Sequence, residues 1–174
     1  SILCDLSHVG AVTSRDTIAA SIKPVAYTHC LPAGLKAHPR NKSDDDLKFI
    51  ADHGGFIGVT MFPPFLKNGT ESTVDDYVEA IDYVINIAGE ACVGIGTDFT
   101  QGWDRAFFDW ITHDKGDGRK LVEFGEIINP EGMRTIGDFP NLTEAMQRAG
   151  WSEPRTRKVM GENWLRLLGD VWGA

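Results

Sequence analysis

Four short apolar runs, separated by three stretches with helical periodicity, constrain the fold of this chain most. They are Ile2-Leu3-Cys4-Asp5-Leu6-Ser7-His8, Val25-Ala26-Tyr27-Thr28-His29, Phe56-Ile57-Gly58-Val59-Thr60-Met61 and Cys92-Val93-Gly94-Ile95-Gly96-Thr97-Asp98. Runs of this length fit the strands of a buried parallel sheet. Between them the pattern predicts helices over residues 15–20, 44–51 and 74–88, with Ser14, Ser43 and Thr73 as N-caps. In the third, Val74, Tyr77, Val78, Ile81, Val84, Ile85 and Ala88 recur at helical spacing. Such alternation gives an α/β fold with a parallel sheet and right-handed crossovers.

Two of the runs end on histidine. Strand alternation puts His8 on the face of Cys4 and Leu6, and His29 on the face of Val25 and Tyr27. The two imidazoles can then converge above the C-terminal ends of the strands, where α/β folds place their chemistry. On spacing alone, a metal pair and two satisfied polar side chains fit equally well.

Asp98 ends the fourth run on the same rim, placed as well to cap a helix as to act in catalysis. Gly94 and Gly96 share its face, so either a neighbouring backbone or a ligand comes close there. Arg40, in His38-Pro39-Arg40-Asn41, follows the second histidine and by itself reads as a surface arginine. Two imidazoles, a carboxylate and a guanidinium on one rim suit metal-assisted hydrolysis of an anionic substrate. Asp98 would move protons and Arg40 would clamp a carboxylate. Asp44, Asp45 and Asp46 read as the solvated first turn of a helix, not as a metal cluster.

A net charge of −8 argues against a nucleic-acid surface. The 174 residues suffice for one domain with a sizeable core, and no apolar run approaches the ~20 residues that span a bilayer. Cys4, Cys30 and Cys92 lack paired spacing and read as buried thiols. Ser1 opens straight into the first run without a methionine, which suggests a chain that begins upstream. The compartment is left open, with a cytoplasmic one favoured. From residue 99 to 140 the pattern lapses into a long loop. Trp103, Phe107, Phe108 and Trp110 predict that this loop is packed. Three helices follow, over residues 142–149, 152–160 and 162–171, with Gly150 and Gly161 as the breaks.

Several motifs resemble those of the renal, or membrane, dipeptidases, a family of dinuclear zinc peptidases. They are Asp5-Leu6-Ser7-His8, Thr28-His29, His38-Pro39-Arg40-Asn41 with Asp44-Asp45, Gly94-Ile95-Gly96-Thr97-Asp98-Phe99 and Gly161-Glu162-Asn163-Trp164-Leu165-Arg166, in the family's order. The resemblance implies a (β/α)8 TIM-type barrel with two zinc ions at its C-terminal rim. It implies that His8 and His29 bind one ion, that Arg40 holds the substrate carboxylate and that Asp98 shuttles protons. Phe62 stands where some members carry a tyrosine near the substrate. The family hydrolyses dipeptides, and some members open β-lactams or cleave D-residue dipeptides.

The family's His-x-Asp pair, bridging glutamate and further histidine all precede the matched motifs. Neither His53 nor His113 replaces them. Thr100-Gln101 follows Asp98-Phe99 where many members carry Asp-Gly. Residues 1–174 are thus expected to be the C-terminal half of such a barrel, with the N-terminal half not present. A half barrel has two unpaired edges and an open inner face. The expected partners are therefore a dipeptide and either the missing half or a second copy of the chain, as a homo-oligomer. Alone, two histidines supply too few of the roughly four ligands of a zinc site, so the isolated chain should bind zinc weakly and be inactive. Two other readings are an amidohydrolase-like enzyme acting on a peptide-derived metabolite, and a non-catalytic α/β module with a vestigial rim.

Overall fold

The computed structural model describes residues 2–99, 102–121 and 127–173. Three of the four apolar runs form a parallel sheet in the order β1 (Ala26–Cys30), β2 (Phe56–Val59) and β3 (Val93–Ile95). Ala26 lies opposite Phe56, and Ile57 opposite Val93. The first run departs from its expected strand. It joins β1 through one parallel bridge, between Asp5 and Ala26. Leu6 N–H donates to the Ala26 carbonyl at 2.8 Å, and Ala26 N–H to that of Cys4 at 3.0 Å.

The ladder stops there because the next donors are used locally. Ser7 N–H goes to the Asp5 carboxylate at 3.0 Å and Val9 N–H to the Leu6 carbonyl at 3.0 Å. His8 therefore sits in a turn and not in a strand. Cys4, expected to be buried, is exposed, whereas Cys30 and Cys92 are buried; all three are free thiols. Burial pushes the Cys30 thiol up to about 12.

Helix α1 (Ala11–Ala20) starts ahead of the expected cap. Ser14 lies buried inside it and bonds through its N–H to the Gly10 carbonyl at 2.9 Å. Helix α2 (Asp44–Asp52) is capped by Ser43, which accepts from Asp46 N–H at 3.1 Å. Helix α3 (Val74–Ala88) starts on a capping box between Thr73 and Asp76 and stops at Gly89, whose φ of 85° suits a residue without Cβ.

One face of the sheet, carrying Tyr27, Ile57, Val59 and Val93, packs on Leu47 and Ile50 of α2 and on Tyr77, Ile81 and Val84 of α3. Each such fully buried side chain contributes roughly 1.5–3 kcal/mol. Ala26 and Phe56 turn the other way and are covered by Leu167 and Val171 of α7 (Asn163–Trp172). Asn163 Nδ2 donates to the Val93 carbonyl at 2.8 Å and Trp164 Nε1 to that of Ile95 at 2.7 Å, which ties α7 to β3.

Helix α5 spans Phe139–Arg148, and Gly150 with φ 81° ends it. Helix α6 (Glu153–Arg157), capped by Ser152, runs on into α7 through a π-helical turn, Lys158–Glu162. Gly161 was expected to break this helix. It lies instead within that wider turn, where the ladder absorbs the extra residue without interruption.

A short helix, α4 (Arg105–Ile111), occupies part of the expected loop and is capped by Asp104. None of its residues is buried, and Trp103 and Trp110 are 58% and 59% exposed. Trp103 stacks on Phe107 at 4.0 Å and Phe107 meets Phe108 edge-on at 5.7 Å, so these aromatics do pack, on one another and outside the core.

Candidate active site at the strand ends

The site begins with an irregularity in β1. Tyr27 pairs with Ile57 but Cys30 with Val59, so β1 holds one residue more than β2 between these pairs. Tyr27 and Cys30 both pack into the helix-covered core. His29 therefore leaves the face of Tyr27, contrary to simple alternation, because the bulge re-aims it. It meets His8, which arrives from the turn after Leu6. Their Nε2 atoms are 2.8 Å apart and their ring centroids 4.9 Å apart.

Arg40 reaches the same point, with Nη2 2.8 Å from His8 Nε2. A guanidinium can only donate, so His8 Nε2 accepts. The arginine is not a free surface residue. Its guanidinium lies 5.5 Å from the Phe65 ring centroid, and its Nε is buried without a hydrogen-bond partner among the described residues. The loop that carries it is pinned by Asn41, whose Nδ2 donates to the Lys36 and Phe65 carbonyls at 2.8 and 3.1 Å. Buried Lys42 ties that loop to the His8 turn, donating to the Val9 carbonyl at 2.8 Å beneath the Tyr27 ring.

Asp98 follows β3 in a left-handed conformation, φ 57°, rare for a residue with a Cβ. Thr60 holds the approach by donating to the Thr97 carbonyl at 3.1 Å. The Asp98 charge acts on both neighbours. Burial lowers the Arg40 pKa and Asp98 opposes that shift. Burial, Arg40 and His29 lower that of His8, against Asp98 and Asp5. His8, His29, Arg40 and Asp98 thus share one electrostatic neighbourhood.

Phe62 stands one layer behind. It is 8% exposed and packs on Phe65 at 4.8 Å, the ring that lies against the Arg40 guanidinium. Thr100 and Gln101 lie outside the described residues. Asp46 is buried and not solvated, paired with Arg15 Nε at 2.7 Å, while Asp44 accepts from the Tyr83 hydroxyl at 3.0 Å. His53 Nδ1 is 2.8 Å from the Phe49 carbonyl, and His113 turns likewise to that of Asp109, so neither joins the site. Asp5, Ser7 and Thr28 enclose His29, a role their motifs did not reveal. The Asp-x-Ser spacing of a side-chain turn was the available signal.

Among the described residues, no group of three or more His, Cys, Asp or Glu side chains is placed to hold a metal ion. The pair His8–His29 fits zinc in donor type, since both Nε2 atoms face one point. It falls short in number of ligands.

The model of the membrane dipeptidase family, peptidase family M19, matches residues 1–111. The chain belongs to the membrane dipeptidase family. An amidohydrolase from Pseudomonas aeruginosa of known structure is 66% identical over 99% of this membrane dipeptidase family chain and superposes with a TM-score of 0.97. A metallopeptidase from Rhodobacter sphaeroides, liganded with a phosphinate mimic of the dipeptide L-Ala-D-Ala, is 28% identical over 97% of the chain, TM-score 0.76. The chain covers 53% and 42% of these two structures. An uncharacterized protein in the pqqA 5' region of Klebsiella pneumoniae is 29% identical over 172 residues, 97% of this chain and 54% of that protein. The family member described here thus spans about half the length of these relatives.

Proposed function

We propose that the protein is a metallodipeptidase, hydrolysing the peptide bond of dipeptides with zinc. The observation that carries this reading is the meeting of His8 Nε2, His29 Nε2 and the Arg40 guanidinium within 2.8 Å contacts. His8 and His29 would hold one zinc ion, which when bound supplies Lewis-acid polarisation and lowers the pKa of water. Arg40 would receive the substrate carboxylate as a bidentate pair, its charge held in place by the Phe65 ring. Asp98 would accept and return the proton, and Phe62 would back the substrate side of the Arg40 loop through Phe65.

Residues 1–174 would form the C-terminal half of a (β/α)8 barrel, about four βα units with α7 covering part of the inner face. The length of the relatives supports this reading, as does the parallel order of the sheet. The other half, as another segment, another chain or a second copy, would complete the metal site. A dipeptide substrate is supported by the phosphinate dipeptide mimic bound to the Rhodobacter relative.

Zinc content and turnover of a dipeptide panel by the intact gene product test the reading. Stoichiometric zinc with hydrolysis lost in His8→Ala would support it; a zinc-loaded protein that cleaves no dipeptide would overturn it. The similarity to a protein described as an amidohydrolase favours a second reading, hydrolysis of an amide bond in a peptide-derived metabolite. The same panel separates the two, because such an enzyme would leave simple dipeptides uncleaved.

A further inference from the structure

We propose that Asp5, Ser7 and Thr28 form a one-way chain of hydrogen bonds that locks His29 in its Nδ1–H tautomer and leaves Nε2 bare. The argument is an accounting of protons. The Asp5 carboxylate can only accept. Its Oδ1 takes Ser7 N–H at 3.0 Å, Thr28 N–H at 3.1 Å and the Ser7 hydroxyl at 2.5 Å. The single hydroxyl proton of Ser7 is therefore committed to Asp5.

Ser7 Oγ lies 3.2 Å from Thr28 Oγ1 and can serve it only as acceptor, so the Thr28 proton is committed in turn. Thr28 Oγ1 lies 2.8 Å from His29 Nδ1. With its own proton spent, it must accept there, and the proton between them belongs to His29. Asp5 Oδ2, 3.9 Å from Nδ1, adds attraction for that N–H. The backbone keeps the chain in place: His29 N–H donates to Ser7 Oγ at 3.0 Å, so the last member also grips the second. Reversing the direction would leave Ser7 and Thr28 facing each other through lone pairs.

The consequence reaches the other ring. His8 Nε2 gives its single lone pair to the Arg40 N–H, so a proton on His29 Nε2 would find no acceptor 2.8 Å away. A bare Nε2 is ready for a cation there, and when Arg40 turns to a substrate carboxylate both lone pairs are free to share it. Asp5, Ser7 and Thr28 are positioning residues, acting through His29. The value of the lock for metal binding rests on the reading of His29 as a ligand; the tautomer itself does not.

The test is long-range nitrogen–proton NMR of His29 in chelator-treated, metal-free protein above the imidazole pKa, with zinc affinity measured in parallel. The wild type and Thr28→Ser should show the Nδ1–H form, and Thr28→Val should shift towards Nε2–H. Ser7→Ala, which frees the Thr28 proton to turn towards Nδ1, should shift it likewise, so the proposal does not hang on one variant folding. An unchanged tautomer in a folded Thr28→Val or Ser7→Ala protein overturns the lock. Zinc affinity should fall about 10- to 100-fold in Thr28→Val and recover in Thr28→Ser. A shifted tautomer with unchanged zinc affinity supports the lock and overturns the metal role of His29.

Discussion

A Cβ on Gly58 of β2 would stand 2.0 Å from the carbonyl oxygen of Thr28 in β1, and a Cβ on Gly96 would meet the same oxygen at the same distance. At Gly58 and Gly96, then, the neighbouring backbone is what comes close, whereas at Gly94 the Phe56 ring does, 2.6 Å from where a Cβ would stand. The strands curl so tightly around the Thr28 carbonyl that no side chain fits at either of the first two positions.

Gly58→Ala should destabilise the protein by about 1–3 kcal/mol, because the obstacle is backbone within the ladder and cannot swing aside. Urea unfolding measures this. The same variant should disturb His29, since Thr28 must shift to admit the methyl group.

Asp98 separates strain from chemistry. Asn tolerates the left-handed region as Asp does, so in the intact gene product Asp98→Asn should keep stability near wild type while abolishing most dipeptide turnover. Asp98→Val should lose turnover and also cost about 1–2 kcal/mol, from a β-branched residue at φ 57°. Thermal melts of the two variants beside their kinetics make the comparison.

Arg40→Ala in the intact gene product should lower kcat/KM about 10- to 100-fold, the worth of a charge-assisted pair, chiefly through KM. Arg40→Lys keeps the charge but loses the planar fork, and should recover only part of that loss. Steady-state kinetics on one dipeptide checks both.

Residues 1–174 expressed alone should bind zinc weakly and lose it on dialysis, with no dipeptide turnover, because two imidazoles fill only part of a coordination shell. Metal analysis after dialysis decides this. Retained stoichiometric zinc with activity would refute the half-barrel assignment.

Acid sensitivity should involve Asp46. Burial works to raise its pKa, but hydrogen bonds from Ser43 and Arg15 and the Arg15 charge outweigh it, so the folded value lies below the ordinary 3.8. A carboxyl depressed on folding contributes stability that is full above its unfolded pKa and is lost as pH falls through the folded one. Asp46→Asn should therefore narrow the stability difference between pH 7 and pH 3, as followed by denaturant midpoints.

Much of the local structure was legible in the residues. Ser43, Thr73 and Ser152 cap helices because their hydroxyls reach the free N–H groups of the first turn, which depends on near neighbours alone. The spacing from Val74 to Ala88 predicts the buried stripe of α3: six of its seven positions are buried in the core, Ala88 is half-buried, and Ala80 joins them. The aromatics around α4 foretold packing but not its place outside the core, because composition does not say which surface a side chain will find.

The motifs around His8, His29, Arg40 and Asp98 were likewise visible in the sequence, and so was membership of the membrane dipeptidase family. The sequence by itself thus determined the starts of α2, α3 and α6, the parallel β–α alternation and which side chains could carry chemistry, since these follow from contacts a few residues apart. Only the tertiary structure decided that β1 would bulge and turn His29 towards His8, that the first run would stop at a single bridge and that Asp98 would take a left-handed turn. Those features are settled by partners far along the chain, Ile57 and Val59 for the bulge and Thr60 for the turn, and their distances are set only when the whole sheet closes.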